Sequence, residues 1–145
     1  MSAERLPSRV AAHEAGHATC CLLMGVPLFS ATVEPSGEYA GLVLRQAVGR
    51  GRPGHADAMR DATVLAAGRV AEEMFFGDAD GLDHDERAMR ELERRIGRPV
   101  AALGLNHAER LLWPRRDALL RLAFELDRRG TMTGEEVAAV VGPVG

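Results

Sequence analysis

The pentapeptide HEAGH, from His13 to His17, constrains this chain more than any other stretch of its sequence. Side chains four residues apart lie on the same face of an α-helix, so His13 and His17 can bind one metal ion. Glu14 lies about 100° further round the helix, where it can reach a water on that ion without ligating it. This spacing is typical of a zinc site in which two imidazoles bind Zn²⁺ and the carboxylate acts as general base.

The residues around the motif favour a metal site over a chance match. Residues 10–26 are nearly all apolar or small, broken only by His13, Glu14, His17 and Thr19. A helix that is apolar on every side is normally buried. Burying two imidazoles and a carboxylate is costly unless each has a strong partner, and a metal ion is such a partner.

Length, charge and cysteine content exclude several other classes of protein. A chain of 145 residues with 46% apolar residues predicts one folded domain, 1–145. Its net charge of -3 argues against general nucleic-acid binding. Cys20 and Cys21 are adjacent, which predicts small core residues in a reducing compartment and excludes a disulfide framework. Residues 1–7 contain no signal core and no apolar run is long enough to span a membrane, so we expect a cytoplasmic protein without a membrane partner.

Local signals predict a mainly α (α+β) fold, a helical zincin-like bundle with a small ribbon of two to three β-strands. Pro7 and Ser8 are expected to open the first helix, with the proline in an early turn or the serine as the cap, and Gly25 is expected to end it. Strands are predicted at 28–35 (LFSATVEP) and 41–46 (GLVLRQ), with a turn at 36–37 between them. The glycine-rich residues 48–54 (VGRGRPG) predict a mobile loop beside the site.

The second half of the chain predicts further helices. His55–Phe76 has apolar residues at helical spacing and ends at Gly77, and Gly68 in its interior predicts close packing on a neighbouring helix. An acidic loop at 78–85 is followed by a helix that runs to about residue 96. Another helix is expected from the region of His107 or Pro114 to residue 129. A capping box then predicts a last short helix that begins after residue 133.

Two histidines leave a catalytic zinc site one protein ligand short. The candidates are acidic or histidine side chains further along the chain: Glu72, Glu73, Asp78, Asp80, Asp83, His84 and Asp85, with His55 and His107 more remote. No third histidine follows the motif at the spacing HExxHxxGxxH, which rules out a metzincin.

Helical phase separates the two best candidates. Asp85 is in phase with Met89, Leu92 and Ile96, which form the buried face of the predicted helix. Asp83 is in phase with the arginines of its solvated face. Either aspartate could instead cap this helix and interact favourably with the positive end of its dipole. We therefore take Asp85 as the first candidate for the third ligand and Asp83 as the second.

Three stretches of the chain resemble successive motifs of the FtsH-type zinc metallopeptidases. They are 13–18 (HEAGHA), 66–77 (AAGRVAEEMFFG) and 81–89 (GLDHDERAM), and 131–137 (TMTGEEV) is similar to the closing helix-turn-helix of that family. In the family, the second motif has the pattern G-G-R-x-A-E-E. The third motif, G-x-x-N/S-D, supplies an aspartate as the third zinc ligand, and Asp85 is the residue that matches it. The resemblance covers nearly the whole chain in order and rough spacing.

The chain departs from the family patterns at three positions. Ala67 replaces the first glycine of the second motif, His84 stands where Asn or Ser is usual, and Glu86 replaces an apolar residue. Nothing in the sequence resembles the ATPase module or the membrane anchor of the family. The resemblance therefore implies a free-standing relative of the peptidase domain.

The resemblance also implies roles for Glu72 and for the second strand. Glu72 would lie near the zinc site without ligating the ion, whereas the residues alone suggest a surface glutamate paired with Arg69. Residues 41–46 would form the strand edge on which a peptide is laid by β-addition. A purely structural ribbon is the alternative for this strand.

Together these patterns predict a zinc-dependent endopeptidase that cleaves unfolded or extended polypeptides. Zn²⁺ is expected on His13, His17 and Asp85, with Glu14 as the catalytic base. The isolated chain is expected to act without ATP, and a separate ATPase or further copies of the chain are the partners that we consider.

Two other hypotheses remain open. In a non-catalytic, zinc-stabilised interaction domain, Asp83 or His84 would close the site as a fourth ligand and Glu14 would be dispensable. In a helical fold without metal, both histidines of the motif would be buried in the neutral state. The presence of Glu14 favours the enzyme, since a structural zinc site has no use for that carboxylate.

Overall fold

The computed structural model describes residues 5–35, 37, 39–46 and 54–143. Over these residues the chain is mainly helical with a small three-stranded sheet, as the sequence predicts. The helices are α1 (Arg9–Met24), α2 (His55–Phe76), α3 (Asp83–Ile96), α4 (Ala101–Leu112), α5 (Arg116–Arg129) and α6 (Gly134–Val141). The strands are β1 (Leu28–Thr32), β2 (Leu42–Arg45) and β3 (Thr131–Thr133). A 3₁₀ turn, Trp113–Arg115, connects α4 to α5.

Helix α1 lies at the centre of the fold, where it contacts α2, α5 and the sheet. The side chain of Ser8 caps its start, and Gly25 ends it with a φ of 69°, so both predicted bounds are confirmed. Every residue of 11–21 except His13 is buried. The prediction of a helix that is buried on nearly all sides is therefore also confirmed.

Helix α2 packs against α1 at a distance that only small residues permit. A Cβ atom on Gly16 would lie 2.5 Å from the carbonyl oxygen of Ala67 and 2.8 Å from the Cβ of Ala71. The predicted bounds of α2 are confirmed, and Gly77 ends the helix with a φ of 79°. Because the two helix backbones approach so closely, polar side chains of α2 can reach those of α1.

The sheet has the strand order β2-β1-β3, and both pairings are antiparallel. Ala31 at the centre of β1 pairs with Val43 on one side and with Met132 on the other. Ala31 and Met132 are fully buried in the main hydrophobic core. Strand β2 thus forms one edge of the sheet, and its predicted position is confirmed to within a residue at each end.

The sequence predicted one helix between residues 97 and 130, and the structure has two. Helix α5 (Arg116–Arg129) matches the predicted helix from the region of Pro114 to residue 129, whereas α4 (Ala101–Leu112) was not predicted as a separate helix. The backbone N–H groups of Val100 and Ala101 donate to Glu93 Oε2, at 2.7 Å and 3.2 Å. Because Glu93 belongs to α3, the capping group comes from another helix, and the residues next to the start of α4 give no capping signal.

Two loop predictions lie largely outside the described residues. Of the predicted loop at 48–54, only Gly54 is described, and it precedes α2. Of the predicted turn at 36–37, only Gly37 is described, with a φ of 58°. The mobility of the 48–54 loop stays a prediction.

The adjacent cysteines are core residues, as predicted. Cys20 and Cys21 are free thiols and fully buried. Burial raises the pKa of Cys20 to about 12 and that of Cys21 to about 11, which keeps both thiols protonated and unreactive at neutral pH. Among the described residues, no helix has the length and apolar character needed to cross a membrane.

The capping box at the start of α6 predicts a defined loss of stability in a Thr133→Ala variant. Thr133 Oγ1 accepts the N–H of Glu136 at 3.1 Å, and Glu136 Oε1 accepts the N–H of Thr133 at 3.0 Å. Removing the hydroxyl should lower the free energy of unfolding by about 1 kcal/mol, as measured by urea denaturation. Glu135→Gln, in the same turn but outside the box, should change it by only a few tenths of a kcal/mol. Equal losses of unfolding free energy in the two variants would show that the hydroxyl of Thr133 does not act as a cap.

Candidate metal centre

The two histidines of α1 converge on one point with Asp85 of α3. The Nε2 atoms of His13 and His17 lie 3.0 Å apart. Asp85 Oδ2 lies 2.9 Å from Nε2 of His13 and 3.0 Å from Nε2 of His17. These three atoms form a nearly equilateral triangle. The structure thus brings together the three residues that the sequence predicts as zinc ligands.

The other nitrogen of each ring has a partner that fixes the position of its proton. His17 Nδ1 lies 2.7 Å from the carbonyl oxygen of Val64, which can only accept, so Nδ1–H is the donor. His13 Nδ1 lies 2.6 Å from Glu72 Oε2 and donates to that carboxylate. In the neutral rings both Nε2 atoms therefore present lone pairs to the carboxylate of Asp85. A bound cation would satisfy all three acceptors, and histidines held in this way are usual in metal sites.

The donor set and its spacing fit zinc. Bonds of about 2.0–2.1 Å in tetrahedral geometry place neighbouring ligand atoms about 3.3 Å apart. The observed separations of 2.9 to 3.0 Å are close to that value. Two imidazoles and one carboxylate are also a common ligand set of catalytic zinc, which leaves a fourth position for water or substrate.

Glu14 lies beside this triangle and is not part of it. It offers a carboxylate oxygen that lies within 4.8 Å of ligand atoms of His13 and His17. The residue is only 6% exposed, and this burial raises the pKa of its carboxyl group despite the pull of the two histidines. A raised pKa and a position outside the ligand triangle suit a proton acceptor better than a ligand.

The charges at the centre are strongly coupled. Burial alone would raise the pKa of Asp85, but the two histidines hold it well below its usual range. Burial alone would lower the pKa of His13, but hydrogen bonds to Asp85 and Glu72 outweigh it and raise that pKa to about 10. Both shifts show that the carboxylates favour a positive charge at this point. A divalent cation meets the same demand.

Glu72 is a buried partner of His13 rather than a surface residue. It is 1% exposed, and besides His13 it accepts hydrogen bonds from Arg9 at 3.0 Å and from the backbone N–H of Asp80 at 3.1 Å. The alternative pairing of Glu72 with Arg69 is wrong, because Arg69 binds Glu73 at 2.8 Å. Glu72 instead orients the ring that supplies Nε2 of His13.

Gly68 of α2 faces the two histidine rings. A Cβ atom at this position would lie 2.6 Å from His13 Nε2 and 2.7 Å from His17 Nε2. The prediction that Gly68 marks close packing against a neighbouring helix is confirmed. The groups that need the space are the proposed metal ligands themselves.

The remaining candidate ligands are exposed or contact other residues. Asp83 is exposed at the start of α3, and α3 has no side-chain cap, so neither aspartate has the capping role considered above. The contacts of the others are Glu73 with Arg69, Asp78 with Arg9, Asp80 with the N–H of Gly81, His84 with Arg87, His55 with Arg98 and His107 with Thr63.

Sequence reasoning missed three contributions to the centre. The carbonyl of Val64 orients His17, and no side-chain pattern can reveal a backbone acceptor. Gly41 allows the loop before β2 to approach Glu14, since a Cβ there would lie 2.9 Å from Glu14 Oε2. Arg9 reaches Glu72 and precedes His13 by four residues, so its place on the same helical face was a usable signal.

An open groove of about 400 Å³ leads to the centre. Its lining includes the histidines and acids described above, residues 41–43 at the edge of the sheet, Tyr39 and His84. The rings of Tyr39 and His84 are in contact, with their centroids 4.5 Å apart and their planes tilted by 35°. A chain segment in this groove would therefore lie beside both the metal ligands and strand β2.

Comparison of the sequence with protein-family models finds no match, and comparison with curated proteins finds none either.

The triangle predicts different effects for two neighbouring aspartates. Loss of a group that only hydrogen-bonds to a metal ligand costs up to roughly 100-fold in affinity. Asp85→Asn should weaken zinc binding by more than that, because it removes the charge of a ligand itself. Asp83→Asn, the matched control on the exposed face of the same helix turn, should bind zinc like the wild type. Competition with a chromogenic chelator measures both affinities. Equal affinities in the two variants would show that Asp85 is not a ligand.

Two glycines provide a second, independent test of the centre. Gly68→Ala should abolish or greatly weaken zinc binding, because the new methyl group would occupy the space of both Nε2 atoms. Gly104→Ala places a methyl group 2.7 Å from the backbone of Ala62 where α4 packs on α2, away from the histidines. It should cost about 1–3 kcal/mol of stability and leave zinc affinity unchanged. Zinc titration and urea denaturation of both variants test this, and wild-type affinity in Gly68→Ala would refute it.

Proposed function

We propose that the chain is a zinc-dependent endopeptidase that hydrolyses unfolded or extended polypeptides in the cytoplasm. The observation that carries this proposal is the triangle of His13 Nε2, His17 Nε2 and Asp85 Oδ2 with the buried carboxylate of Glu14 beside it. When bound, zinc acts as a Lewis acid that polarises the scissile carbonyl and makes water nucleophilic at neutral pH. The resemblance to the FtsH-type peptidases points to the same chemistry.

Glu14 moves the proton in this reaction. Its carboxylate takes a proton from the attacking water as the new C–O bond forms at the carbonyl carbon. It then gives that proton to the peptide nitrogen as the C–N bond breaks, so that the products are an acid and an amine. Burial raises the pKa of Glu14 above that of an exposed glutamate, which makes its carboxylate a stronger base.

Strand β2 is suited to hold the substrate. It lies at the edge of the sheet, and residues 41–43 line the groove next to the metal centre. An extended peptide can add to such an edge through main-chain hydrogen bonds. Recognition of this kind needs an unfolded segment and tolerates many sequences. The isolated chain would therefore act on unfolded substrates without ATP, and folded substrates would require a separate ATPase.

A zinc-stabilised interaction domain is supported less well. A structural site needs a fourth protein ligand, for which the sequence offers Asp83 and His84. Asp83 is exposed, and Nδ1 of His84 accepts a hydrogen bond from Arg87 at 2.9 Å. Such a domain would also leave the buried carboxylate of Glu14 without a purpose.

Replacing Glu14 by glutamine tests the catalytic part of the proposal. The wild type should contain zinc by elemental analysis and cleave casein or a short unstructured peptide. Glu14→Gln should retain zinc and its melting temperature but lose about 10²–10⁴-fold in kcat/KM, since an amide cannot accept the proton. The matched control is Glu73→Gln, which makes the same change on the surface of α2 and should leave activity unchanged.

Each failure in this experiment has its own meaning. A Glu14→Gln variant with wild-type activity would refute the assigned base. A wild type free of zinc, even after incubation with Zn²⁺, would refute the metal site. A wild type that binds zinc but cleaves none of these substrates would favour the interaction domain.

A further inference from the structure

Arg9, the first residue of α1, is held in a fixed position by four contacts. Its Nη1 donates to Glu72 Oε1 at 3.0 Å and to the carbonyl of Asp78 at 3.3 Å, and its Nη2 donates to Asp78 Oδ1 at 2.8 Å. Its guanidinium carbon also lies 4.7 Å from the centre of the Phe76 ring. The side chain is 36% exposed, and both Nη atoms of its head group are engaged by these hydrogen bonds.

Glu72 connects Arg9 to the metal centre. Its Oε2 accepts the Nδ1–H of His13 at 2.6 Å, while Oε1 accepts from both Arg9 and the N–H of Asp80. A carboxylate that is only 1% exposed is costly to bury unless a cation and hydrogen-bond donors surround it. Arg9 supplies a permanent positive charge for this purpose, and its planar fork suits a carboxylate.

Arg9 also holds the segment that leads to Asp85. Residues 77–82 connect α2 to α3, and within this segment Arg9 binds Asp78 through both its side chain and its carbonyl. Helix α3 begins at Asp83 and carries Asp85 in its first turn. Arg9 therefore ties the helix of the two histidines to the segment that delivers the carboxylate.

We propose that Arg9 is a positioning residue of the metal centre. Through Glu72 it orients the ring of His13, and through Asp78 it holds the segment before Asp85, so that Nε2 and Oδ2 converge. This role rests on the proposed function only in taking zinc as the ion. It requires no contact between Arg9 and the ion or the substrate.

The test compares two substitutions of Arg9. Arg9→Gln removes the charge, and it should weaken zinc binding about 10–100-fold, the usual cost of losing a group that orients a ligand. It should also change the visible absorption of the Co²⁺-substituted protein, which reports ligand geometry. Arg9→Lys keeps the charge but lacks the fork that spans Glu72 and Asp78, so its affinity should lie between those of Arg9→Gln and the wild type.

Two further variants control for charge and for folding. Arg69→Gln loses the same charge from a surface pair with Glu73 on α2, and its zinc affinity should equal that of the wild type. Asp78→Asn changes a side chain that is 73% exposed and weakens one anchor of Arg9. It should fold normally and lose less affinity than Arg9→Gln, which keeps the test decisive if Arg9→Gln is unstable.

Wild-type zinc affinity and an unchanged Co²⁺ spectrum in Arg9→Gln would overturn the proposal. So would a lower melting temperature of the metal-free variant with unchanged zinc affinity, since this would show a structural role only. A raised KM with unchanged zinc affinity would mean that Arg9 contacts substrate, which also overturns it. Zinc affinity, the Co²⁺ spectrum and the melting temperature need no peptidase activity, so a wild type that binds zinc without cleaving peptides would count against the endopeptidase and leave the role of Arg9 standing.

Discussion

The Nε2 atoms of His13 and His17 and Oδ2 of Asp85 meet within 3.0 Å of one another, and the packing of the surrounding helices depends on this contact. Such a cluster is unfavourable unless a positive charge, either a proton on an imidazole or a metal ion, lies among the three atoms. The groups that aim His13 and His17, namely Glu72 and the carbonyl of Val64, both belong to α2. The geometry of the centre therefore depends on how α1 and α2 pack together.

That packing explains why the two helices are built from small residues. Gly16 lies against the backbone of Ala67, and Gly68 lies against the histidine rings. Larger side chains at these positions would bury more apolar area, but they would separate the helices and remove the hydrogen bonds to both rings. The residues that shape this part of the core thus also shape the site. A substitution in this interface is therefore expected to affect metal binding as well as the fold.

The sequence predicted those parts of the structure whose determinants are local. The spacing of His13 and His17, the glycine that ends α2 and the phase of Asp85 on α3 follow from helical periodicity alone. The start of α4 and the acceptor for His17 were missed, because each depends on a group from a different helix, Glu93 and the carbonyl of Val64. Glu72 could be placed near the centre only by resemblance. Its burial results from packing between helices that the spacing of residues within one helix cannot show.

Three buried or half-buried carboxylates surround the centre, and their environments give each a different chemistry. Asp85 faces both Nε2 atoms, and its lowered pKa keeps it an anion, which suits it to bind a cation. Glu72 faces Nδ1 of His13 and the guanidinium of Arg9, so it is committed to holding other groups in place. Glu14 differs because burial dominates its electrostatics and raises the pKa of its carboxyl group above the ordinary value, whereas the pKa of Asp85 is lowered. A separation of carboxylates by environment is how active sites assign acid, base and ligand roles to the same chemical group. The proposed role of Glu14 as a base is therefore supported by its surroundings as well as by its place in the HEAGH motif.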